Sequence, residues 1–141
     1  MAAGVTHIDH IVIASNDSAA TASLFAENLG IPIKRTMSRP GTRAHLEFAK
    51  LQEVILEFAG PGDVQPYDEV KARLSGFVAA VDDIDATVAS LRASGYDVED
   101  PHKAVQPGAK FAVVKSGTHG VPFALIQYNA LPIEAVQETP A

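Results

Sequence analysis

Ile8-Asp9-His10-Ile11-Val12-Ile13-Ala14 runs straight into Ser15-Asn16-Asp17-Ser18. The first run is short and β-branched, which reads as a strand. The second is a turn that ends in helix N-cap residues. Ala19 to Leu29 then place Ala22, Phe25, Ala26 and Leu29 at helical spacing, and Gly30 stands where a left-handed cap belongs. Ile31-Pro32-Ile33 opens an extended stretch, and its proline suits an edge or a strand start. Pro40-Gly41 marks a turn. Arg43 to Ala49 and Glu53 to Ala59 read as two strands joined tightly through Lys50-Leu51-Gln52.

The same order then recurs. Gly76 to Val81 reads as a strand, Asp82-Asp83-Ile84-Asp85 as a cap, and Ala86 to Ser94 as a helix ended by Gly95. Tyr96-Asp97-Val98 is extended, and Pro107-Gly108 is a turn. Lys110 to Lys115 and Pro122 to Tyr128 are strands flanking the loop Ser116-Gly117-Thr118-His119-Gly120. Leu24 and Leu91, Ala22 and Ala89, Pro40-Gly41 and Pro107-Gly108, Val54 and Val121, and the cations Arg43 and Lys110 are all 67 apart. Chance matching in alanine-rich helices is the competing explanation, and the Pro-Gly match resists it. The expected fold class is α+β, built of two βαβββ modules. Module one spans 7–60, a linker 61–74, module two 75–129 and a tail 130–141.

Composition narrows the function classes. The 141 residues are 47% hydrophobic and 20% charged, enough apolar surface to fold without a metal or disulfide staple. With no cysteine there is no disulfide framework, thiolate metal site or thiol nucleophile. Net charge is −6 and no basic run exists, which argues against nucleic acid. No apolar run approaches the ~18–20 residues that span a bilayer. Met1 to Asp9 lacks the basic and apolar regions of a signal peptide, so the expected location is cytoplasmic.

Three segments carry a resemblance: Ile8 to Ile13 with its Asn16-Asp17 cap, Glu53 to Phe58, and Gly120 to Gln127. With them the chain, nearly to Asn129, resembles the vicinal oxygen chelate superfamily. Its members include glyoxalase I, bleomycin-resistance proteins, extradiol dioxygenases, methylmalonyl-CoA epimerase and fosfomycin-resistance enzymes. The resemblance implies that the two βαβββ modules form a cupped mixed sheet with helices on the outside, assembled as a homodimer that holds a small molecule inside the cup. Metal-using members take one ligand from the first and last strand of each module, which implies His10, Glu57, Phe77 and Ala124 here. Phe77 and Ala124 cannot ligate, so the resemblance leaves no cofactor or a weakly bound divalent metal ion held by His10 and Glu57. Glyoxalase I and extradiol dioxygenase chemistry both need more ligands than that.

Each candidate residue also has a plain structural explanation. His10 lies in an apolar strand and could be a satisfied core histidine. Glu57 shares its strand face with Ile55 and Ala59, where an unpaired carboxylate is costly. Arg43, His45 and Glu47 alternate along one strand face: either a solvated outer face, or a third ligand in His45 and an anion clamp in Arg43. Lys110 would place a second cation in the pocket, Phe77 and Ala124 an apolar wall, and Tyr128 a ligand or partner contact. His119 reads as a surface residue that could gate the mouth of the cup, while His7 and His102 read as surface residues and Asp82, Asp83 and Asp85 as helix-cap charges.

The functional expectation is a glyoxalase-like small-molecule enzyme of isomerase, lyase or cyclase type. His10 and Glu57 would move a proton beside a carbonyl. The alternative is a metal-free binding or sequestration protein of the bleomycin-resistance type.

Overall fold

The computed structural model describes residues 4–39 and 41–128. The expected tail, residues 130–141, and Pro40 lie outside them. Nine strands and two helices make a mixed-sheet α+β fold among the described residues. The elements are β1 (Val5–Ser15), α1 (Ser18–Leu29), β2 (Ile33–Ser38), β3 (His45–Leu51), β4 (Val54–Gly60) and β5 (Ala72–Val81). They continue as α2 (Ile84–Ala93), β6 (Asp97–Val98), β7 (His102–Lys103), β8 (Ala109–Ser116) and β9 (Phe123–Tyr128). Neither helix is long and apolar enough to cross a membrane.

Both helices start on an aspartate. The Asp17 carboxylate accepts from the Ala20 N–H at 3.1 Å, and Asp83 from the Ala86 N–H at 3.0 Å. Each satisfies an N–H that the first helical turn leaves without a partner. Because Asp83 is the cap, α2 begins at Ile84, ahead of the expected Ala86, and Asp85 falls in its first turn. Gly30 ends α1 at φ 69°, the left-handed conformation that glycine adopts at no steric penalty.

The chain divides into two compact units whose boundaries fall inside β1 and β5. The unit His10–Gly76 carries the strand path β2-β3-β4-β1, with β1 and β4 parallel and the hairpin pairs antiparallel. Its core is Ile13, Ala22, Ala49, Leu56 and Phe58, with Ile11, Phe25, Ile31 and Ile33 packed against it. Phe25 of α1 meets Phe58 edge-on at 5.1 Å. The helix therefore covers the face bearing Ile11, Ile13, Leu56 and Phe58. By alternation, His10, Val12, Ile55 and Glu57 point to the other face.

The other unit contains residues 77–128 and the first residues of β1 up to Asp9. Its path is β5-β9-β8-β6, with β7 paired to β8. Ala79, Val81, Ala112, Val114 and Leu125 pack with Ile84 and Val88 of α2. Val78, Ala80, Ala109, Ala124 and Ile126 form a second cluster on the opposite strand face.

The registers correct the internal repeat. Val12 pairs with Glu57 in one unit and Val78 with Ala124 in the other. The first strands are thus offset by 66 residues and the last by 67. The caps Asp17 and Asp83 and the core-packed residues Phe25 and Leu91 also stand 66 apart. Gly41 and Gly108, both left-handed at φ 78° and 75°, keep the offset of 67. One additional residue therefore lies between helix and turn in the second module. Matches of common alanines within the helices had concealed it.

Phe58 has no exposed surface, whereas Leu74 is 75% exposed. Phe58→Ala is expected to lower stability by about 3–5 kcal/mol through lost burial and a residual cavity. Leu74→Ala should change it by no more than about 0.5 kcal/mol. Urea unfolding measures both, with the midpoint moving and the slope constant.

Candidate functional site

The parallel register of β1 and β4 sets His10 beside Ile55 and Val12 beside Glu57. Both titratable side chains therefore rise from the face that α1 does not cover. His10 Nε2 lies 3.5 Å from Glu57 Oε1, and the two side chains are 5% and 6% exposed. Alternation on β2 brings a third group to the same face. Arg35 pairs with Phe48, and Phe48 pairs with Glu57, so Arg35, Met37 and Arg39 share Glu57's side. Arg39, just beyond β2, donates from Nη2 to Glu57 Oε2 at 3.1 Å. The two oxygens of one buried carboxylate are divided between an imidazole and a guanidinium. An unpaired carboxylate at this depth would be strongly unfavourable, and these neighbours offset its desolvation. The Arg35 guanidinium stacks over Phe48 with its centre 5.0 Å from the ring.

His45 does not join this group. It lies three residues from Phe48 on β3 and so faces the α1 side. There its Nε2 is 2.7 Å from Glu47 Oε2, and its carbonyl accepts from the Ser18 hydroxyl at 3.2 Å. The third-ligand role read for His45 is thereby corrected. Arg43 is exposed in the turn that precedes β3, outside the strand it was expected to open. Lys110 pairs across strands with Gln127, whose amide oxygen accepts from the first N–H of α2. Its ammonium bridges to Asp85 of that helix at 3.3 Å, so it is a cation of the α2 face and not of a pocket.

Phe77 needs the same correction. It stacks on Phe123 at 5.5 Å and packs into the core under α2. The 66-residue offset makes Gly76, not Phe77, the counterpart of His10. Ala124 is buried on the opposite face with Val78 and Ile126. Tyr128 donates its hydroxyl to Asp9 Oδ2 at 3.1 Å. Burial and the Asp9 charge push the phenol's pKa well above its ordinary value, so it remains a protonated donor. His119 is exposed at φ 55° in the β8–β9 loop. His102 is held by Glu99 at 2.8 Å, which raises its pKa.

Residues 9–113 match the Glyoxalase/Bleomycin resistance protein/Dioxygenase superfamily. The chain belongs to this superfamily. The Streptomyces coelicolor methylmalonyl-CoA epimerase, in complex with 2-nitronate-propionyl-CoA, is similar in fold. It is 20% identical, with TM-score 0.73 over 91% of this chain and 100% of that one. The Mycobacterium tuberculosis methylmalonyl-CoA epimerase is 18% identical, with TM-score 0.75 over 93% of each chain. A further methylmalonyl-CoA epimerase, in complex with methylmalonyl-CoA and NH4+, is 20% identical, with TM-score 0.73 over 90% of this chain and 97% of that one. No curated protein sequence matches the chain.

For a superfamily built around chelation, the donor set here is thin. His10 and Glu57 have Gly76 and Ala124 as counterparts, neither with a ligating side chain. One Glu57 oxygen is already held by Arg39, a cation that competes with any metal. Among the described residues no group of three or more His, Cys, Asp or Glu is placed to hold an ion. His10 and Glu57 alone fall short of the three protein ligands of a catalytic zinc site.

Sequence reasoning missed Arg39 and Asp9. The alternating Arg35, Met37 and Arg39 at the end of an edge strand was a readable signal. It acquires meaning only once β2 is registered on β3.

Two outcomes follow from these contacts. Arg39→Met and Glu57→Gln are each expected to destabilise by about 1–3 kcal/mol, and the double variant by less than their sum. Urea unfolding of the four proteins measures the coupling. For Tyr128, the unfolded phenol ionises near its ordinary ~10 while the folded one keeps its proton, so stability falls as pH rises past about 10. Tyr128→Phe should flatten that loss in melting curves taken between about pH 8 and about pH 11.

Proposed function

We propose that this protein is an isomerase-type enzyme that moves a proton at a carbon next to a carbonyl in a small-molecule substrate. The observation that supports it most is the buried contact of His10 with Glu57, set on the sheet face that α1 leaves uncovered. In this reading Glu57 acts as the base. Its carboxylate takes the proton, and the C–H electron pair moves onto the carbonyl oxygen as an enolate. The proton then returns to the same or the neighbouring carbon, so no outside reactant is consumed. His10 holds the Glu57 side chain and shares the proton while the enolate exists. The apolar neighbours Val12, Ile55 and Phe48 limit water around that charge.

The similarity to methylmalonyl-CoA epimerases, with CoA ligands in two of the cited structures, supports a carbonyl substrate of thioester type. A cytoplasmic homodimer is part of the same proposal, on the strength of the family resemblance. The sequestration alternative differs in its chemistry: a pure binding protein would exchange no substrate proton.

Incubation in D2O with methylmalonyl-CoA, simple α-hydroxy ketones and β-dicarbonyl acids tests this by proton NMR. At least one should lose its α-proton faster than in the protein-free control, and Glu57→Gln should slow that loss by about 10²–10⁴-fold. If no compound exchanges, or the variant exchanges as fast, the enzyme reading fails.

A further inference from the structure

We infer that Arg39 is the receptor for a carboxylate group on the ligand, and that this group takes the guanidinium over from Glu57. This builds on the proton-transfer reading by naming the substrate class: acids whose carboxylate lies close to the reacting carbon.

Arg39 bridges a buried group and solvent. Its partner Glu57 is 6% exposed at the side chain, whereas Arg39 is 40% exposed. The backbone beneath it is pinned, since the Arg39 N–H donates to the Ala44 carbonyl at 3.0 Å. The Arg39 carbonyl accepts from the Thr42 N–H and hydroxyl, each at 3.2 Å. The side chain therefore extends from a fixed base. A guanidinium has five N–H donors, and among the described residues it uses them on Glu57 alone. With the side chain 40% exposed, the remaining donors are accessible to a second planar acceptor.

Local charge points the same way. Register and alternation place Arg35, Arg39 and Lys50 on the face of Glu57, its one carboxylate among the described residues of β1–β4. This face is cationic on a chain of net charge −6, so it attracts an anion against the overall field. The group Arg39 already holds is itself a carboxylate. An incoming carboxylate replaces like with like at the guanidinium, while His10 stays against Glu57 to meet its buried charge. Glu57 is then released toward the substrate in the same step that binds it. A neutral substrate cannot draw Arg39 away, and the base stays covered.

The probe is malonate, titrated against the full chain while the arginine Nε–H and histidine ring signals are followed by NMR. Inorganic phosphate and neutral malonamide serve as comparisons. Malonate should saturate and shift one arginine Nε–H together with a histidine signal, while malonamide does neither. Arg39→Met should weaken malonate by about 10–100-fold, the range for a lost charge-assisted hydrogen bond, and Arg39→Lys by less. Glu57→Gln should tighten malonate severalfold, because the competing carboxylate is gone. Amide spectra of each variant report whether the fold is retained.

Equal malonate affinity in a folded Arg39→Met protein, or weaker binding in Glu57→Gln, overturns the inference. Phosphate binding more tightly than malonate with the same Arg39 dependence overturns the carboxylate class. Should Arg39→Met not fold, Arg39→Lys and Glu57→Gln decide by the same affinities. The D2O exchange experiment reads Glu57 and the malonate titration reads Arg39. Exchange without Arg39-dependent binding sinks only the receptor, and Arg39-dependent binding without exchange sinks only the enzyme reading.

Discussion

Alternation along β4 is the constraint on which the rest depends. Leu56 and Phe58 are driven into the core that α1 covers, and Phe58 meets Phe25 there with no exposed surface. A strand has only two faces, so the residue between them is forced onto the other one. That residue is Glu57. Its burial opposite the helix is a by-product of apolar packing on the helix side. The charge must then be met by whatever neighbouring strands supply, here His10 from β1 and Arg39 from beyond β2. Core and site are two sides of one register.

The two modules handle this geometry differently. In one, the helix-free face carries His10 and Glu57; in the other, the matching positions are Gly76 and Ala124, and Val78, Ala124 and Ile126 make an apolar cluster. Membership in the glyoxalase superfamily is compatible with both, because the fold rests on the helix-side cores and not on the ligands. The buried titratable pair stands in one module only, with an arginine held against its carboxylate.

Much of the architecture was legible in order along the chain. Asp17 and Asp83 announced their helices, Gly30 ended one, and paired β-branched runs placed the long strands. Legibility failed where a single residue of register mattered. An offset of 67 in place of 66 put Phe77 opposite His10, when it lies on the other face, stacked on Phe123. A slip of one residue inverts the face of a side chain in a strand, though it leaves the segment just as strand-like. Identity matching among alanines and leucines cannot sense that inversion.

The sequence by itself determined the α+β class, the repeated module order and the presence of His10 and Glu57 in opening and closing strands, because caps, breakers and period-two patterns are local properties. Only the tertiary structure decided who meets whom. His45 and Lys110 turned to the helix faces, and Arg39, whose alternation with Arg35 and Met37 marked a face but not a partner, reached the buried carboxylate. The reason is physical: a cross-strand contact is fixed by register among β1, β2, β3 and β4, and register is set by core packing summed over several elements at once.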